Sequence, residues 1–203
     1  DISPEEDVVA RLQAAITPRT RLLVFSHVAW NTGLRLPMAE IVAMGHRHHV
    51  LSLVDAAQST GAIPLNLPDS GVDFYDMPGQ KWLCGPEGVG ALYVRREHLG
   101  LLEPTFAGFT TLEDANTYDF LGNFLPASTA RRYEVGTVYR PGIKAMGANL
   151  AWLEETVGWD WIYGRIAHLA GYAYDALRNQ AGVTVITPPG PQVAYPSKQC
   201  SCQ

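Results

Sequence analysis

Lys81 is the first candidate for chemistry, because lysine is scarce in this chain. Its fifteen basic residues include only three lysines, Lys81, Lys144 and Lys198. Lys81 lies in a glycine-rich segment, and Trp82 and Leu83 directly after it predict partly dry surroundings. Desolvation disfavours an ammonium group, so such a lysine can act as a nucleophile or form a Schiff base. The alternative is a lysine whose stem lies over Trp82 while its head stays in water.

Asp55 is the second candidate, since it follows the apolar residues 50–54, which are typical of a buried parallel strand. The carboxyl ends of such strands are where open α/β folds bind ligands. A buried carboxylate needs a cationic partner, and a protonated pyridine nitrogen, which pyridoxal enzymes hold with an aspartate, is one. The alternative is a helix N-cap, with Gln58 at the third helical position completing a capping box.

The histidines and cysteines do not predict a metal site. His46, His48 and His49 lie at the end of a predicted helix, where histidines also suit the helix dipole. Cys200 and Cys202 lack a second pair of ligands. The third cysteine, Cys84, is expected to be a small buried residue, and three cysteines do not make a disulfide framework.

Short apolar strands alternating with helices predict an α/β protein with a mainly parallel sheet and flanking helices. The predicted strands are residues 21–26, 50–54, 72–76 and 89–94, with a further one at 183–186. Helices are predicted from an N-cap at Ser3 through Ala15, at 38–49, at 142–157 and at 159–181, the last two separated by Gly158. Residues 104–141 show weak periodicity, and an irregular segment of this length typically binds something.

Composition excludes several classes of protein. The chain has 203 residues, 47% of them hydrophobic, which indicates a globular fold. A net charge of −5 gives no support for binding a polyanion along the whole chain. No apolar run approaches the roughly 18 residues that span a bilayer. The acidic first residues are not those of a signal or transit peptide. Because the three cysteines do not form a disulfide framework, we expect a reducing, cytoplasmic location, and we expect no membrane partner.

Six segments occur in an order that resembles one family. They are SHVAWNTG at 26–33, VDAAQSTG at 54–61, DFY at 73–75, GQKW at 79–82, GPEGVG at 85–90 and RRYEVGT at 131–137. The series is similar to the class V aminotransferase family of pyridoxal-phosphate (PLP) enzymes of fold type I. That family includes cysteine desulfurases, cystine C–S lyases and isopenicillin N epimerase-like proteins.

The resemblance implies a cofactor, pyridoxal 5'-phosphate, and a role for each matching residue. Lys81 would form the Schiff base with the cofactor and then move protons at the substrate α-carbon. Asp55 would hold the pyridine nitrogen protonated, while Gln58 and Asn31 would hydrogen-bond the phenolic oxygen of the ring. Thr137 would contact the cofactor phosphate of a neighbouring subunit, which implies a homodimer. The substrate would be a small molecule, an amino acid, and no nucleic acid would bind.

The resemblance also implies a division of the chain and some departures from the family. Residues 1–141 would be the C-terminal part of the large domain, and 142–203 a helical connection and the start of the small domain with an irregular tail. The chain would then be incomplete at both ends. Pro78 replaces the usual Ser or Thr that contacts the phosphate, and Gln80 replaces the usual His. Losing one charge-assisted hydrogen bond weakens cofactor binding by about 1.5–3 kcal/mol.

Three functions remain in competition at this point. The first is a PLP-dependent enzyme acting on an amino acid, similar to a C–S lyase or cysteine desulfurase or to an aminotransferase. The second is a catalytically silent fragment or relative that serves as a folding or dimerisation unit. The third, a nucleotide-binding domain with Asp55 on a ribose, is disfavoured because the glycines at 85–90 precede a strand and do not join a strand to a helix.

Overall fold

The computed structural model describes residues 7–188 and contains a four-stranded sheet with strand order β1-β2-β3-β4. The strands are β1 (Leu22–Ser26), β2 (Leu51–Asp55), β3 (Phe74–Pro78) and β4 (Gly90–Val94). Strand β2 pairs in parallel with β1 and β3, whereas β4 pairs antiparallel with β3. The predicted α/β fold with a mainly parallel sheet is therefore confirmed.

Helix α2 (Met38–Arg47) connects β1 to β2 and buries its apolar side against the sheet. Its Met38 and Val42 pack with Val54 and Tyr75 of the strands. Another row of buried α2 side chains, including Ile41, packs against helix α1 (Val8–Ala15). Two neighbouring parallel strands need a crossover connection, which is usually a helix. Helix α2 is that connection, and the burial of its apolar side against the sheet holds β1 next to β2.

The start of α1 differs from the predicted one. The N-cap predicted at Ser3 lies outside the described residues. The described helix begins at Val8, and the Asp7 carboxylate accepts a hydrogen bond of 3.1 Å from the Ala10 amide. A short helix, α3 (Leu67–Ser70), was not predicted; the Asn66 side chain caps it. Four residues are too few for a helical period to be visible in a sequence.

Residues 95–139 have little regular structure, as predicted for 104–141. They contain three short 3₁₀ turns, at Arg96–His98, Ala115–Thr117 and Ala130–Tyr133, and an isolated bridge between Leu112 and Pro126. Several large apolar side chains in this stretch are exposed, among them Phe106, Phe109, Phe120 and Leu121. We call these four exposed side chains the apolar surface.

The two predicted C-terminal helices are confirmed in place and type. Helix α4 (Arg140–Trp152) continues through a π-helical turn, Leu153–Val157, and helix α5 covers Trp159–Arg178. Gly158 separates them with φ +84°, a conformation that an L side chain rarely adopts. The strand predicted at 183–186 is wrong: within residues 7–188 no strand pairs with it, and Ile186 is 64% exposed. Among the same residues no helix is long and apolar enough to cross a membrane.

Candidate active site

The carboxyl ends of β1, β2 and β3 meet at one edge of the sheet and bring the sequence candidates together. Ser26, the last residue of β1, lies opposite Asp55, the last residue of β2, and Asp55 lies opposite Asp76 of β3. Strand β3 ends two residues later at Pro78, so Lys81 follows directly beyond the same edge. Parallel pairing alone therefore places Asp55 and the Lys81 segment on the same side of the sheet.

The Asp55 carboxylate is half-buried and held by two donors. Its Oδ1 accepts a hydrogen bond of 2.8 Å from the Ala57 amide, and its Oδ2 accepts one of 3.2 Å from the Ser26 hydroxyl. The helix N-cap alternative is wrong, because no helix follows Asp55; its Oδ1 instead closes the turn that follows β2. The chain forms turns after Asp55 and no helix, and Oδ2 stays available beside Ser26.

Gln58 joins the turn after β2 to the lysine segment. Its Oε1 accepts a hydrogen bond of 2.9 Å from the indole Nε1 of Trp82. The capping box predicted for Gln58 is therefore wrong, because its side chain is turned toward Trp82. With Oε1 committed, the amide NH₂ group remains as a donor. Gly61 supports the same contact: a Cβ there would lie 2.8 Å from the Trp82 carbonyl carbon.

The segment that carries Lys81 is packed on its other side against α4. A Cβ at Gly79 would lie 2.5 Å from the Val89 carbonyl oxygen and would collide with Met146. Within residues 7–188 the Lys81 side chain has no hydrogen bond or ion pair, and it is exposed. The dry surroundings predicted from Trp82 and Leu83 are therefore absent around the lysine, which is exposed in the turns that follow β3.

Two further predicted residues lie outside this contact set. Asn31 is exposed in the turn that follows β1, next to Trp30, which is 83% exposed. Thr137 is exposed in the irregular stretch just before α4, with φ +47°. Neither side chain has a hydrogen bond within the described part of the chain. Their proposed contacts with a cofactor stay predictions.

A buried polar chain beneath the strand ends was missed by the sequence reasoning. His27 Nδ1 lies 2.9 Å from the Tyr75 hydroxyl, which lies 2.7 Å from Ser59 Oγ. Burial, with a smaller contribution from the Arg35 charge, lowers the pKa of His27 to about 4, so the ring is neutral near pH 7. Burial also raises the pKa of the Tyr75 phenol. Tyr75 lies in the predicted strand 72–76 and is buried together with its neighbour Phe74, but no sequence signal links it to His27.

A second cluster lies at the opposite edge, where β2 and β3 begin. The fully buried Asp73 carboxylate accepts hydrogen bonds from His98 Nε2 at 2.7 Å, His46 Nε2 at 3.0 Å, and the Ser52 amide and hydroxyl at 2.8 and 2.7 Å. Burial acts to raise the pKa of Asp73, but these four bonds outweigh it and hold the pKa below its usual value. Among residues 7–188, no group of three or more histidine, cysteine, aspartate or glutamate side chains is arranged to hold a metal ion.

The expectation for Cys84 is wrong. The thiol-bearing residue is exposed, because it lies in the turn after Lys81 with φ +53°, and its Sγ contacts the Trp82 carbonyl at 3.8 Å. A buried position was inferred from residue type alone. The turn that presents Lys81 at the sheet edge also presents Cys84.

The chain belongs to the class V aminotransferase family, whose family model, Aminotransferase class-V, matches residues 5–197. This assignment agrees with the α/β fold and with the ordered segments of the sequence. It also confirms the predicted resemblance.

Individual relatives narrow the comparison. A probable cysteine desulfurase of Halalkalibacterium halodurans is 33% identical over 177 residues, covering 87% of this chain and 42% of that protein. The cystine C–S lyase C-DES with its product cysteine persulfide is 34% identical with TM-score 0.82, covering 93% of this chain and 50% of that chain. A C-DES mutant with glycine covalently linked to the PLP cofactor is 33% identical with TM-score 0.81, and the match covers 93% of this chain and 49% of that chain. The chain thus spans about half the length of the proteins it matches.

Proposed function

We propose that this chain is part of a PLP-dependent enzyme that acts on an amino acid, as a C–S lyase or cysteine desulfurase-like enzyme or as an aminotransferase. The observation that carries the proposal is the hydrogen bond between Trp82 Nε1 and Gln58 Oε1. It ties the segment bearing Lys81 to the turn bearing Asp55, at the carboxyl ends of two parallel strands. The PLP linked to C-DES and the desulfurase relatives support the same chemistry.

The donor set fits the cofactor. Asp55 Oδ2 offers an acceptor for a protonated pyridine nitrogen, and the NH₂ group of Gln58 offers a donor for a phenolic oxygen. Lys81 offers an amine with no partner in the described part of the chain, free to react with an aldehyde. Acid, amide and amine are the groups that a pyridoxal ring needs from a protein.

Each residue then has a defined task. When bound, PLP supplies an electron-accepting ring that stabilises negative charge at the substrate α-carbon. Asp55 keeps the ring nitrogen charged, Gln58 orients the ring with Asn31, and the Lys81 amine moves the proton at the α-carbon. Pro78 offers no hydroxyl to the phosphate, so we expect weaker cofactor binding than in a relative with Ser or Thr there.

We also propose a homodimer in which Thr137 reaches the cofactor phosphate of the neighbouring subunit. Its exposure and its place within the irregular residues 95–139 support this arrangement. The apolar surface belongs to the same stretch, and exposed apolar patches mark association sites. The proposed division into 1–141 and 142–203 and a cytoplasmic location complete the proposal.

Cofactor binding tests the proposal directly. Purified protein mixed with PLP should develop a visible absorption band, and borohydride should then fix the cofactor to the peptide that contains Lys81. Lys81→Ala should abolish the labelling. Lys144→Ala, which removes an exposed lysine from α4, is the matched control and should be labelled like the wild type. Folded wild-type protein that is never labelled refutes the proposal.

The second candidate function is a catalytically silent folding or dimerisation unit. Pro78 and Gln80 favour it, because Pro78 replaces the Ser or Thr that the family resemblance leads us to expect at the phosphate, and Gln80 replaces the usual His. A silent unit would fold and self-associate in sedimentation experiments while remaining colourless with PLP. A labelled Lys81 together with turnover of an amino acid excludes this candidate.

A further inference from the structure

Ser26 is a polar residue at the candidate site to which the family resemblance gives no role. It ends β1 directly opposite Asp55, and the His27 amide donates to the Asp55 carbonyl at 3.0 Å. These backbone contacts fix the Ser26 and Asp55 side chains next to each other. The Ser26 hydroxyl donates to Asp55 Oδ2 at 3.2 Å.

The two donors to Asp55 act on different oxygens. The Ala57 amide holds Oδ1, so the carboxylate can still turn about its last torsion unless Oδ2 is also held. Among residues 7–188, Ser26 is the one side chain that hydrogen-bonds Oδ2. No other hydrogen bond uses its hydroxyl in that part of the chain. The orientation of the carboxylate therefore depends on Ser26.

The neighbour of Asp55 on the other side, in β3, supplies no such donor. Asp76 of β3 lies in register with Asp55 and is exposed, so it contributes a like charge and no hydrogen bond to the carboxylate. Among the described residues no cation forms an ion pair with Asp55. A hydroxyl donor is then the side-chain group available to set the direction in which Oδ2 points.

We infer that Ser26 is a positioning residue that orients Asp55 Oδ2 toward the pyridine nitrogen of the cofactor. The inference rests on the proposed function. A hydrogen bond between a carboxylate and a protonated ring nitrogen is directional, so a carboxylate that rotates binds the ring less well. Ser26 itself needs no contact with the cofactor.

The test is a double-mutant cycle read out as PLP affinity, by the visible absorption of the bound cofactor, without any activity assay. Ser26→Ala should weaken PLP binding about three- to tenfold, less than the loss of a direct hydrogen bond to a charged group, because Ser26 acts only through Asp55. Ser26→Thr keeps the hydroxyl and should bind like the wild type. In the Asp55→Ala background, Ser26→Ala should cause no further loss.

A cofactor analogue separates positioning from a general effect on the fold. In 1-deaza-pyridoxal phosphate a carbon replaces the ring nitrogen, so wild type and Ser26→Ala should bind it equally. Ser128→Ala, which removes an exposed hydroxyl elsewhere, should change neither affinity. Urea unfolding of each variant checks that all are folded.

The outcomes distinguish the two proposals. If the wild type binds no PLP, the proposed function fails, and the role of Ser26 fails with it. If the wild type binds PLP and Ser26→Ala binds it equally well, only the positioning role is overturned. The positioning role is also overturned if Ser26→Ala weakens the binding of PLP and of its deaza analogue equally. It is overturned too if Ser26→Ala weakens PLP binding further in the Asp55→Ala background. In either case Ser26 acts on the fold and not through Asp55.

Discussion

The hydroxyl of Tyr75 is the central link of the buried chain beneath the strand ends, and Tyr75→Phe removes only that hydroxyl. The donor and the acceptor of each hydrogen bond in this chain follow from Ser59, its last residue. Ser59 Oγ donates to the Ala56 carbonyl at 3.3 Å, so it accepts from Tyr75, which in turn accepts from His27 Nδ1–H. In this direction every donor along the chain has an acceptor.

The cost of Tyr75→Phe can be estimated from what loses its partner. Tyr75 is 0% exposed and His27 2% exposed, so water cannot replace the lost hydroxyl. Each buried polar group left unpaired costs about 1–3 kcal/mol, and Ser59 keeps its bond to Ala56. We therefore expect the free energy of unfolding to fall by about 2–4 kcal/mol, most of it from the unpaired His27.

Urea unfolding followed by circular dichroism measures this loss. Tyr93→Phe is the matched control, because Tyr93 is the cross-strand neighbour of Tyr75 on β4 and is only half-buried. Its stability should change by about 0.5 kcal/mol or less. If Tyr75→Phe is as stable as Tyr93→Phe, the hydrogen-bonded chain does not hold the strand ends together.

Three further predictions concern His27, Asp73 and Pro78. Because the folded-state pKa of His27 is about 4 and its unfolded value 6.5, stability should fall by about 3 kcal/mol as pH falls from 6.5 to 4, and His27→Gln should flatten that slope in urea titrations. The lowered pKa of Asp73 adds stability above its unfolded value of 3.8 that is lost in stronger acid. Asp73→Asn, which cannot accept all four hydrogen bonds, should lose about 2–4 kcal/mol, measured by thermal unfolding at pH 7. Pro78→Ser, which restores a hydroxyl, should tighten PLP binding about tenfold in absorption titrations, and no change would show that the phosphate lies elsewhere.

The architecture was predictable because its signals are local and repeated. Strands that are apolar on both faces, separated by a helix with an apolar stripe, leave few alternatives to a parallel α/β sheet. The pairing of β4 was not predictable, since an antiparallel partner also reads as a short apolar run. Residues 183–186 have the same composition as a strand, but a strand needs a neighbour to pair with, and composition does not contain that neighbour.

Of the candidate site, only the residues positioned by the ends of strands could be predicted from the sequence. Asp55 follows β2, so its place at the sheet edge could be inferred from the sequence. The contact between Gln58 and Trp82 joins positions 24 apart that carry no shared pattern, so a local capping box was the nearer inference. The exposure of Lys81 and Cys84 depends on how a loop packs, which residue type does not determine.

Two anchors explain how a loop without regular structure can present a reactive residue. On one side, Trp82 hydrogen-bonds Gln58 in the turn after β2. On the other, Asn149 of α4 donates to the Leu83 carbonyl. Lys81 lies just before both anchor points, so its backbone is held while its side chain has no hydrogen bond or ion pair within residues 7–188. The segment after residue 141 is therefore a structural part of the candidate site, because its first helix is what supports the lysine loop from behind.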